Sequence, residues 1–335
     1  MIKNVLAIVG LAICVSAAAD ERVLLVVSSA GTVEDPESGY EFDELTQAYW
    51  TFVDNGYSVE IASPAGGEPQ SEERNPMWIH NKRFLEHEAA MHAAANTTPL
   101  ADVSAYDYAA VFVIGGSGAA IDLPDNTALQ ALIADVYNQG GVIGAVCHGP
   151  AALVNMSVDG KHFLDGRHVT AFTNEEEAMF GDKEGESWSL QDRMVDEGGQ
   201  FDGARPLELH VITDGRLVTG QNPFSTALTA EATIRAMGGT PKNRAPYRNE
   251  MTVELAMLAL DEGLETAAAR LEASPENYEA MFLALLGYYK FQAADDDDAI
   301  RDALSLMTLS QPYFQHEMID QTIASAQQRL TATGE

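Results

Sequence analysis

Short apolar runs alternate with segments of helical spacing over the first two thirds of the chain. The runs at residues 22–29, 109–114 and 141–146 are continuous and rich in β-branched side chains, which is typical of strands buried in a parallel sheet. Apolar side chains recur at helical spacing in residues 42–55 and 127–139, which predicts two helices. Strands that alternate with helices predict an α/β fold, with a parallel sheet covered on both faces.

Further patterns extend this α/β unit. They predict strands at residues 57–63, 168–172, 208–213 and 216–219, and helices at about 82–93 and at 223–237. In such sheets the functional site lies beyond the carboxyl ends of the strands. Gly115–Gly116, Cys147 and Thr173 all follow predicted strands, so we expect them to meet at that edge.

The character of the chain changes after Gly239. A basic, proline-containing stretch at 240–249 is interpreted as a linker, and helical spacing continues from there to about residue 332. We therefore predict an α/β domain over 20–239 and a small all-α domain over 250–332, with four helices in two hairpins. Residues 269–278 faintly resemble the turn between tetratricopeptide repeats, but one weak copy does not establish an array. Asp295–Asp298 is interpreted as a solvated loop and helix cap, with a metal site as the alternative.

Residues 1–19 have the pattern of a secretory signal peptide. Lys3 precedes an apolar stretch over 5–15 that is too short to span a bilayer, and three alanines stand before Asp20. We expect cleavage after Ala19 and export to the periplasm or the exterior, with no membrane attachment afterwards. Cleavage would remove Cys14 and leave Cys147 as a single free thiol, which calls for a chemical explanation.

The charge balance excludes some classes of partner. The 335-residue chain carries 19 basic and 51 acidic residues, a formal net charge of −32. Such a surface argues against binding nucleic acid or anionic membranes, since both are themselves negative. We interpret the excess of acidic residues as an adaptation for solubility or salt.

Cys147 and His148 stand where the strand over 141–146 must end. Gly149 and Pro150 allow a sharp turn and a helix start, so the cysteine lies on a strand-to-helix elbow like that of hydrolases. Free backbone N–H groups and the helix dipole favour the thiolate, which is the nucleophile. The alternative is an inert cysteine packed as a small apolar side chain, which the adjacent His-Gly-Pro disfavours.

Two other motifs point away from metal and nucleotide chemistry. In the stretch that begins at His87, Met91 stands where the zinc-binding pattern HExxH needs its second histidine. The glycine-rich stretch at 115–118 lacks the lysine of a phosphate loop. We therefore expect neither a metal nor another cofactor.

Four separated motifs in one order resemble the DJ-1/PfpI superfamily of class I glutamine-amidotransferase-like proteins. They are VIGGSG with the stretch at 122–126, AVCHGPAAL around Cys147, TAFTNEEE at 170–177 and LVTGQNP at 217–223. Among its members, the Hsp31-like branch of glyoxalase III enzymes and chaperones is the most similar. The resemblance covers about 22–238, excludes the helical tail and implies a flavodoxin-like, doubly wound sheet.

The resemblance also implies roles for particular residues. Cys147 would be the nucleophile, His148 its partner in a dyad, and Glu44 the carboxyl group beside the sulfur. Glu177 would orient the histidine, although its neighbours at 175 and 176 leave that assignment open. The backbone N–H groups of Gly116 and His148 would form an oxyanion hole.

The activities that the resemblance implies fall into different classes. One is cofactor-free glyoxalase III chemistry, which converts methylglyoxal or a related dicarbonyl to a 2-hydroxy acid. Alternatives are an exported holdase chaperone or redox sensor without turnover, and a deglycase, amidase or peptidase that uses the same elbow. The resemblance also implies a homodimer, whose interface the added helical tail could occlude or replace, while the partner of the tail stays open.

Overall fold

The computed structural model describes residues 21–72, 74–180 and 189–332. The predicted signal peptide at 1–19, with Cys14, lies outside the described residues. The strands are β1 Arg22–Val26, β2 Ser58–Ser63, β3 Thr98–Pro99, β4 Ala110–Val113, β5 Val142–Val146, β6 Ser157–Val158, β7 Lys161–His162, β8 His168–Val169, β9 Gln200–Phe201, β10 Val211–Asp214 and β11 Leu217–Gly220. The described helices as far as residue 236 are α1 Phe42–Asp54, α2 Ile79–Leu85, α3 Glu88–Ala95, α4 Ser117–Asp122, α5 Thr127–Asn138, α6 Asn174–Phe180, α7 Leu190–Asp196 and α8 Thr226–Ala236.

A seven-stranded sheet forms the centre of the α/β unit, in the order β10-β11-β5-β4-β1-β2-β3. Its strands pair in parallel except for the β10–β11 edge hairpin, which is antiparallel. The predicted α/β class is therefore confirmed. The residues of β1 and β4 are buried apart from Arg22, as their continuous apolar sequences require.

One apolar cluster lies on each face of the sheet. Phe42, Leu45 and Phe52 of α1 pack on one face together with Ile234 of α8. Leu129 and Ile133, both on α5, pack on the other face. Alternate residues of β1 and β4 contribute to the two clusters, because successive side chains of a strand point to opposite faces.

Several predicted elements need correction. The helix expected over 82–93 is two helices, α2 and α3, since the His87 imidazole Nδ1 accepts a 3.2 Å hydrogen bond from the Ala90 N–H and caps a new helix there. The strand expected over 168–172 is reduced to β8, which pairs with β9 outside the main sheet. The strand expected from residue 208 begins only at Val211.

The tail contains five helices within the described residues, where the spacing predicted four. They are α9 Arg248–Asp261, α10 Leu264–Ala273, α11 Ala280–Ala293, α12 Asp297–Ser310 and α13 Glu317–Ala332. The apolar spacing of Leu260 and Leu264 is that of one helix. Gly263, at a φ of 94°, nevertheless separates α9 from α10. α9 also begins inside the stretch predicted to be a linker. The Asp296 side chain caps α12 as expected.

The tail lies directly against the α/β unit. The Phe282 ring of α11 contacts Phe224 and Trp78, with centroids 4.9 and 6.2 Å away. The Tyr289 ring, two turns further along α11, lies 5.2 Å from the ring of Phe180 at the end of α6. One face of α11 therefore borders the segments that surround the carboxyl edge of the sheet. Among the described residues, no helix is both long and apolar enough to cross a membrane.

Candidate active site

Cys147 lies immediately after β5, in a strained backbone conformation. Its φ of 58° is in the left-handed region, which a non-glycine residue rarely adopts outside functional sites. Its N–H donates a 2.9 Å hydrogen bond to the carbonyl of Gly220, and the residue is 3% exposed. A Cβ on Gly149 would come within 2.4 Å of the Val113 carbonyl oxygen, so only glycine allows this turn to pack against β4. The predicted elbow is present.

The helix that follows the elbow differs from the prediction. Gly149–Leu153 form a short 3-10 helix rather than an α-helix. So short a helix carries little of the dipole that was expected to favour a thiolate. Moreover, burial and the nearby Glu44 raise the pKa of the Cys147 thiol well above its usual value. The surroundings of the elbow therefore favour the neutral thiol, and not the thiolate that was predicted.

His148 links the cysteine to a carboxylate. Its Nδ1 lies 3.5 Å from the Cys147 sulfur, and its Nε2 lies 2.5 Å from Oε1 of Glu177. The Phe172 ring, 4.7 Å from the imidazole, supports it on one side. An Nε2–H that donates to Glu177 leaves Nδ1 unprotonated and able to accept the thiol proton. Of the three consecutive glutamates, the structure thus places Glu177 beside the histidine.

Glu44 reaches the sulfur from α1. Its side chain is fully buried, and Oε2 accepts a 2.7 Å hydrogen bond from the Gly115 N–H. Oε1 has no nitrogen or oxygen partner among the described residues, while the carboxyl group interacts with the Cys147 thiol. Burial raises the pKa of Glu44 to about 8, so this carboxyl group is stable in its protonated form near neutral pH.

Two glycines bring the loop after β4 against the elbow. A Cβ on Gly115 would lie 2.8 Å from the His148 backbone nitrogen and 2.9 Å from Cβ of Cys147. Gly116 has a φ of 91°, and a Cβ there would lie 2.4 Å from the Glu41 backbone nitrogen. Both positions are therefore too crowded for another residue. The oxyanion role of the Gly116 and His148 N–H groups stays a prediction.

Glu176 is a second buried carboxylate that the sequence analysis did not assign. Its Oε2 accepts from the N–H and hydroxyl groups of Thr173, and its Oε1 accepts from the N–H of Leu207 and the amide of Asn222. The Thr173 hydroxyl in turn accepts from the Glu176 N–H, which completes a capping box. The sequence signal for the capping box, Thr-x-x-Glu, was present at 173–176.

The described residues contain no group of three or more His, Cys, Asp or Glu side chains that could hold a metal ion. His87, the first residue of the near-match to a zinc motif, caps α3. That the protein needs no metal or other cofactor stays a prediction.

Comparison with known proteins gives consistent matches over the α/β unit. A profile of the DJ-1/PfpI family matches residues 21–236. The glutathione-independent glyoxalase hsp3102 of Schizosaccharomyces pombe is 33% identical over 240 residues, which are 66% of this chain and 100% of that protein. The crystal structure of glyoxalase III from Candida albicans has a TM-score of 0.59 at 28% identity and covers 64% of this chain and 97% of its own. The Rapid Encystment Protein 24 kDa of Francisella tularensis has a TM-score of 0.60 at 30% identity, covering 65% and 99%.

Proposed function

The chain belongs to the DJ-1/PfpI family, and from this premise we propose that it is a glutathione-independent glyoxalase. It converts methylglyoxal, or a related dicarbonyl, to a 2-hydroxy acid such as lactate. The names of the relatives at 29–33% identity support this activity. The observation that carries it here is the placement of the buried Glu44 carboxyl group beside the Cys147 thiol, because the reaction needs a nucleophile and a proton carrier at adjacent carbons.

The first step is addition of the sulfur to the aldehyde carbon. His148 Nδ1 takes the thiol proton, and Glu177 stabilises the imidazolium that forms. A carbon–sulfur bond forms and the carbonyl π bond breaks, so negative charge moves onto the former carbonyl oxygen. The backbone N–H groups of Gly116 and His148 stabilise that charge. The oxygen then takes the proton of the Glu44 carboxyl group and becomes the hydroxyl of a hemithioacetal.

The second step moves a proton between two carbons. Glu44, now ionised, removes the proton from the carbon that carries sulfur, which gives an enediolate. It returns this proton to the neighbouring carbon, the former ketone, while the hydroxyl proton on the first carbon passes to the oxygen of the second. The first carbon is thereby oxidised to a thioester and the second is reduced to an alcohol, so no external oxidant is needed. A carboxyl group whose pKa is raised to about 8 is both a stronger base and a usable acid near neutral pH.

The last step is hydrolysis of the thioester. Glu44, ionised since the first step, takes a proton from water, and the resulting hydroxide attacks the thioester carbon. The carbon–sulfur bond breaks, the sulfur leaves as thiolate and takes back the proton held by the His148 imidazolium, and the 2-hydroxy acid is released. Cys147, His148 and Glu44 are thereby restored to their starting forms. The net change is the addition of one water to the dicarbonyl.

The burial of the thiol disfavours large substrates. With 3% of Cys147 exposed, a glycated side chain or a scissile peptide needs more room to reach the sulfur than a dicarbonyl of a few atoms does. We therefore consider a glyoxalase better supported than a deglycase, amidase or peptidase that acts on proteins.

The decisive experiment is a direct assay of the product. Purified protein is incubated with methylglyoxal in the absence of glutathione, and lactate is quantified over time. We expect lactate from the wild type and none above background from Cys147→Ser. Unchanged methylglyoxal in the wild-type reaction would reject the proposal.

An exposed apolar patch favours a holdase chaperone as the second candidate. Met77 and Ile79 are 77% and 68% exposed and flank Trp78, while Met281, 47% exposed, precedes the Phe282 that contacts Trp78. Such a patch can hold unfolded chains. This role predicts that the protein suppresses aggregation of a heat-denatured client, that Cys147→Ser still does so, and that Met77→Ser combined with Met281→Ser does not.

Export is proposed on the sequence of residues 1–19 alone. We propose cleavage before Asp20 and a periplasmic or extracellular location for the mature protein, where Cys147 is its sole thiol. We likewise propose two separable units, 20–239 and 250–332, joined by 240–249.

A further inference from the structure

Glu176 is surrounded only by hydrogen-bond donors. The Thr173 N–H and hydroxyl lie 3.0 Å from Oε2, and the Leu207 N–H and Asn222 amide lie 2.8 and 3.0 Å from Oε1. Its side chain is fully buried. Hydrogen bonds from these donors lower the pKa of the carboxyl group, whereas burial, the larger effect, raises it above its usual value. What the four donors fix is the position of the group.

Only half of this arrangement is explained by helix capping. Oε2 completes the capping box with Thr173 at the start of α6. Oε1 instead reaches two residues that are far away in sequence and lie on either side of β10 and β11. Asn222 is the second residue after β11, and Leu207 lies in the segment before β10. The carboxylate therefore ties α6 to the edge of the sheet.

Leu207 joins the same carboxylate to the helical tail. Its φ of 66° is in the left-handed region, which is unfavourable for a non-glycine residue. In this conformation its N–H points to Glu176, while its side chain packs in the apolar cluster of the tail with Leu255 and Leu283. The packing in the tail holds the strained backbone that supplies the hydrogen bond.

Asn222 provides a second connection of the same kind. Its amide donates to Glu176, and two residues later Phe224 contacts Phe282 of α11. Glu177, the next residue of α6, is the one that lies 2.5 Å from His148. The anchored residue and the residue that touches the histidine are thus neighbours on the first turn of one short helix.

We propose that Glu176 is a positioning residue that couples docking of the helical tail to the His148–Glu177 pair. This inference rests on the proposed function where it is tested by kcat. The rate of Cys147 alkylation tests it independently of that function. The tail fixes Leu207 and Phe224, these fix the donors around Glu176, and the anchored α6 presents Glu177 to the histidine. The tail thereby contributes to catalysis without touching the substrate.

Glu176→Gln is the primary test, with Glu175→Gln as the matched control. Glutamine at position 176 keeps the size of the side chain but turns an NH2 group toward the surrounding hydrogen-bond donors. Glu175 is a suitable control because it is exposed on the same helical turn. We expect Glu176→Gln to lower kcat about tenfold with KM within about twofold, because positioning of the His148–Glu177 pair acts on the chemical step. Alkylation of Cys147 by iodoacetamide should slow by a similar factor, and Glu175→Gln should match the wild type in both assays.

Tail-side variants test the coupling itself. Phe282→Ala removes the contact with Phe224, and Phe291→Ala is its control, since Phe291 lies on the same helix in the distant apolar cluster of the tail. We expect Phe282→Ala to lower kcat severalfold and Phe291→Ala to leave it unchanged. The double variant with Glu176→Gln should fall no further than Glu176→Gln alone, because both changes release the same helix.

The outcomes separate the possibilities. Additive losses in the double variant, or a Glu176→Gln protein that alkylates at the wild-type rate, would overturn the coupling. If Glu176→Gln does not fold, Phe282→Ala against Phe291→Ala decides by itself. If the wild type makes no lactate, the glyoxalase proposal fails, while the alkylation rates still test the positioning role.

Discussion

Glu44 and Gly115 are joined by a 2.7 Å hydrogen bond from the glycine N–H to Oε2 of the carboxyl group. Gly115 also packs against Cys147 and the backbone of His148. One backbone donor therefore sets the position of the proton carrier relative to the nucleophile, and leaves Oε1 available on the side of the thiol. The loop after β4 needs glycine at that position because a Cβ there would lie 2.9 Å from Cβ of Cys147.

Glu44→Gln separates addition from proton transfer. Glutamine preserves the acceptor for Gly115 but cannot carry a proton between carbons. We expect lactate formation to fall by about 100-fold or more, while iodoacetamide still alkylates Cys147. Cys147→Ser should lose both reactions. Wild-type rates of lactate formation in Glu44→Gln would contradict the proton-shuttle role.

The stability of the protein should also depend on the titration of Glu44. The folded state raises the pKa of Glu44 to about 8, whereas an unfolded glutamate titrates near ~4.3. Between these values the folded protein holds a proton that the unfolded chain releases, so this residue contributes less stability as the pH rises. Glu44→Gln lacks this dependence.

Urea denaturation at about pH 5 and about pH 8 measures the effect. We compare the free energy of unfolding of Glu44→Gln with that of the wild type at each pH. This difference should shift in favour of the variant by on the order of 1–3 kcal/mol from the lower to the higher pH. Glu175→Gln, an exposed change of the same charge, is the control and should show no such trend. A constant difference at both pH values would mean that Glu44 is not protonated in the folded protein.

The three consecutive glutamates provide a test of the triad assignment. Only Glu177 lies beside His148, and an amide in its place cannot stabilise an imidazolium as a carboxylate does. We expect Glu177→Gln to lower kcat by about 10- to 100-fold at unchanged thermal stability. Equal losses in Glu175→Gln would contradict this assignment.

A shortened chain tests whether the two units are separable. The two apolar clusters on the sheet contain no residue of the tail, so residues 20–249 should fold and expose Cys147 to alkylation as a single thiol. Turnover should fall about tenfold because Leu207 and Phe224 lose their partners. Circular dichroism, gel filtration and the lactate assay give the readouts. Aggregation would show that the tail completes the core of the α/β unit.

Export predicts a defined N-terminus. Mass spectrometry of the protein purified from its native host should find Asp20 as the first residue, because three alanines precede it after an apolar stretch. Substitution of Ala17 and Ala19 by bulky residues should block processing. An intact Met1 on soluble cytoplasmic protein would contradict export.

The parts of the structure that follow from local pattern could be predicted from the sequence. Continuous apolar runs identified β1, β4 and β5, and Gly149–Pro150 identified the elbow at Cys147. The resemblance then supplied Glu44, which lies far from the elbow in sequence. The contact of Glu177 with His148 became definite only in three dimensions, since three equivalent side chains stand in a row.

Other features depend on contacts that periodicity does not encode. The tail has five helices rather than four because one glycine at positive φ divides an apparently continuous pattern. The protonation of the Cys147–Glu44 pair reverses the expectation from the elbow alone, since burial outweighs the weak dipole of a 3-10 helix. Glu176 was overlooked because its Oε1 partners lie 31 and 46 positions away.

The contact between α11 and α6 also has a temporal consequence. The ribosome makes the chain from its N-terminus, so β1 to β11, the elbow and Glu44 are all synthesised before α11. A nascent chain can therefore bury Cys147 in a folded sheet while Phe282 and Tyr289 do not yet exist. α11 reaches Phe224 and Phe180 only afterwards. The order of synthesis thus allows the thiol site to assemble before the surroundings that α11 completes.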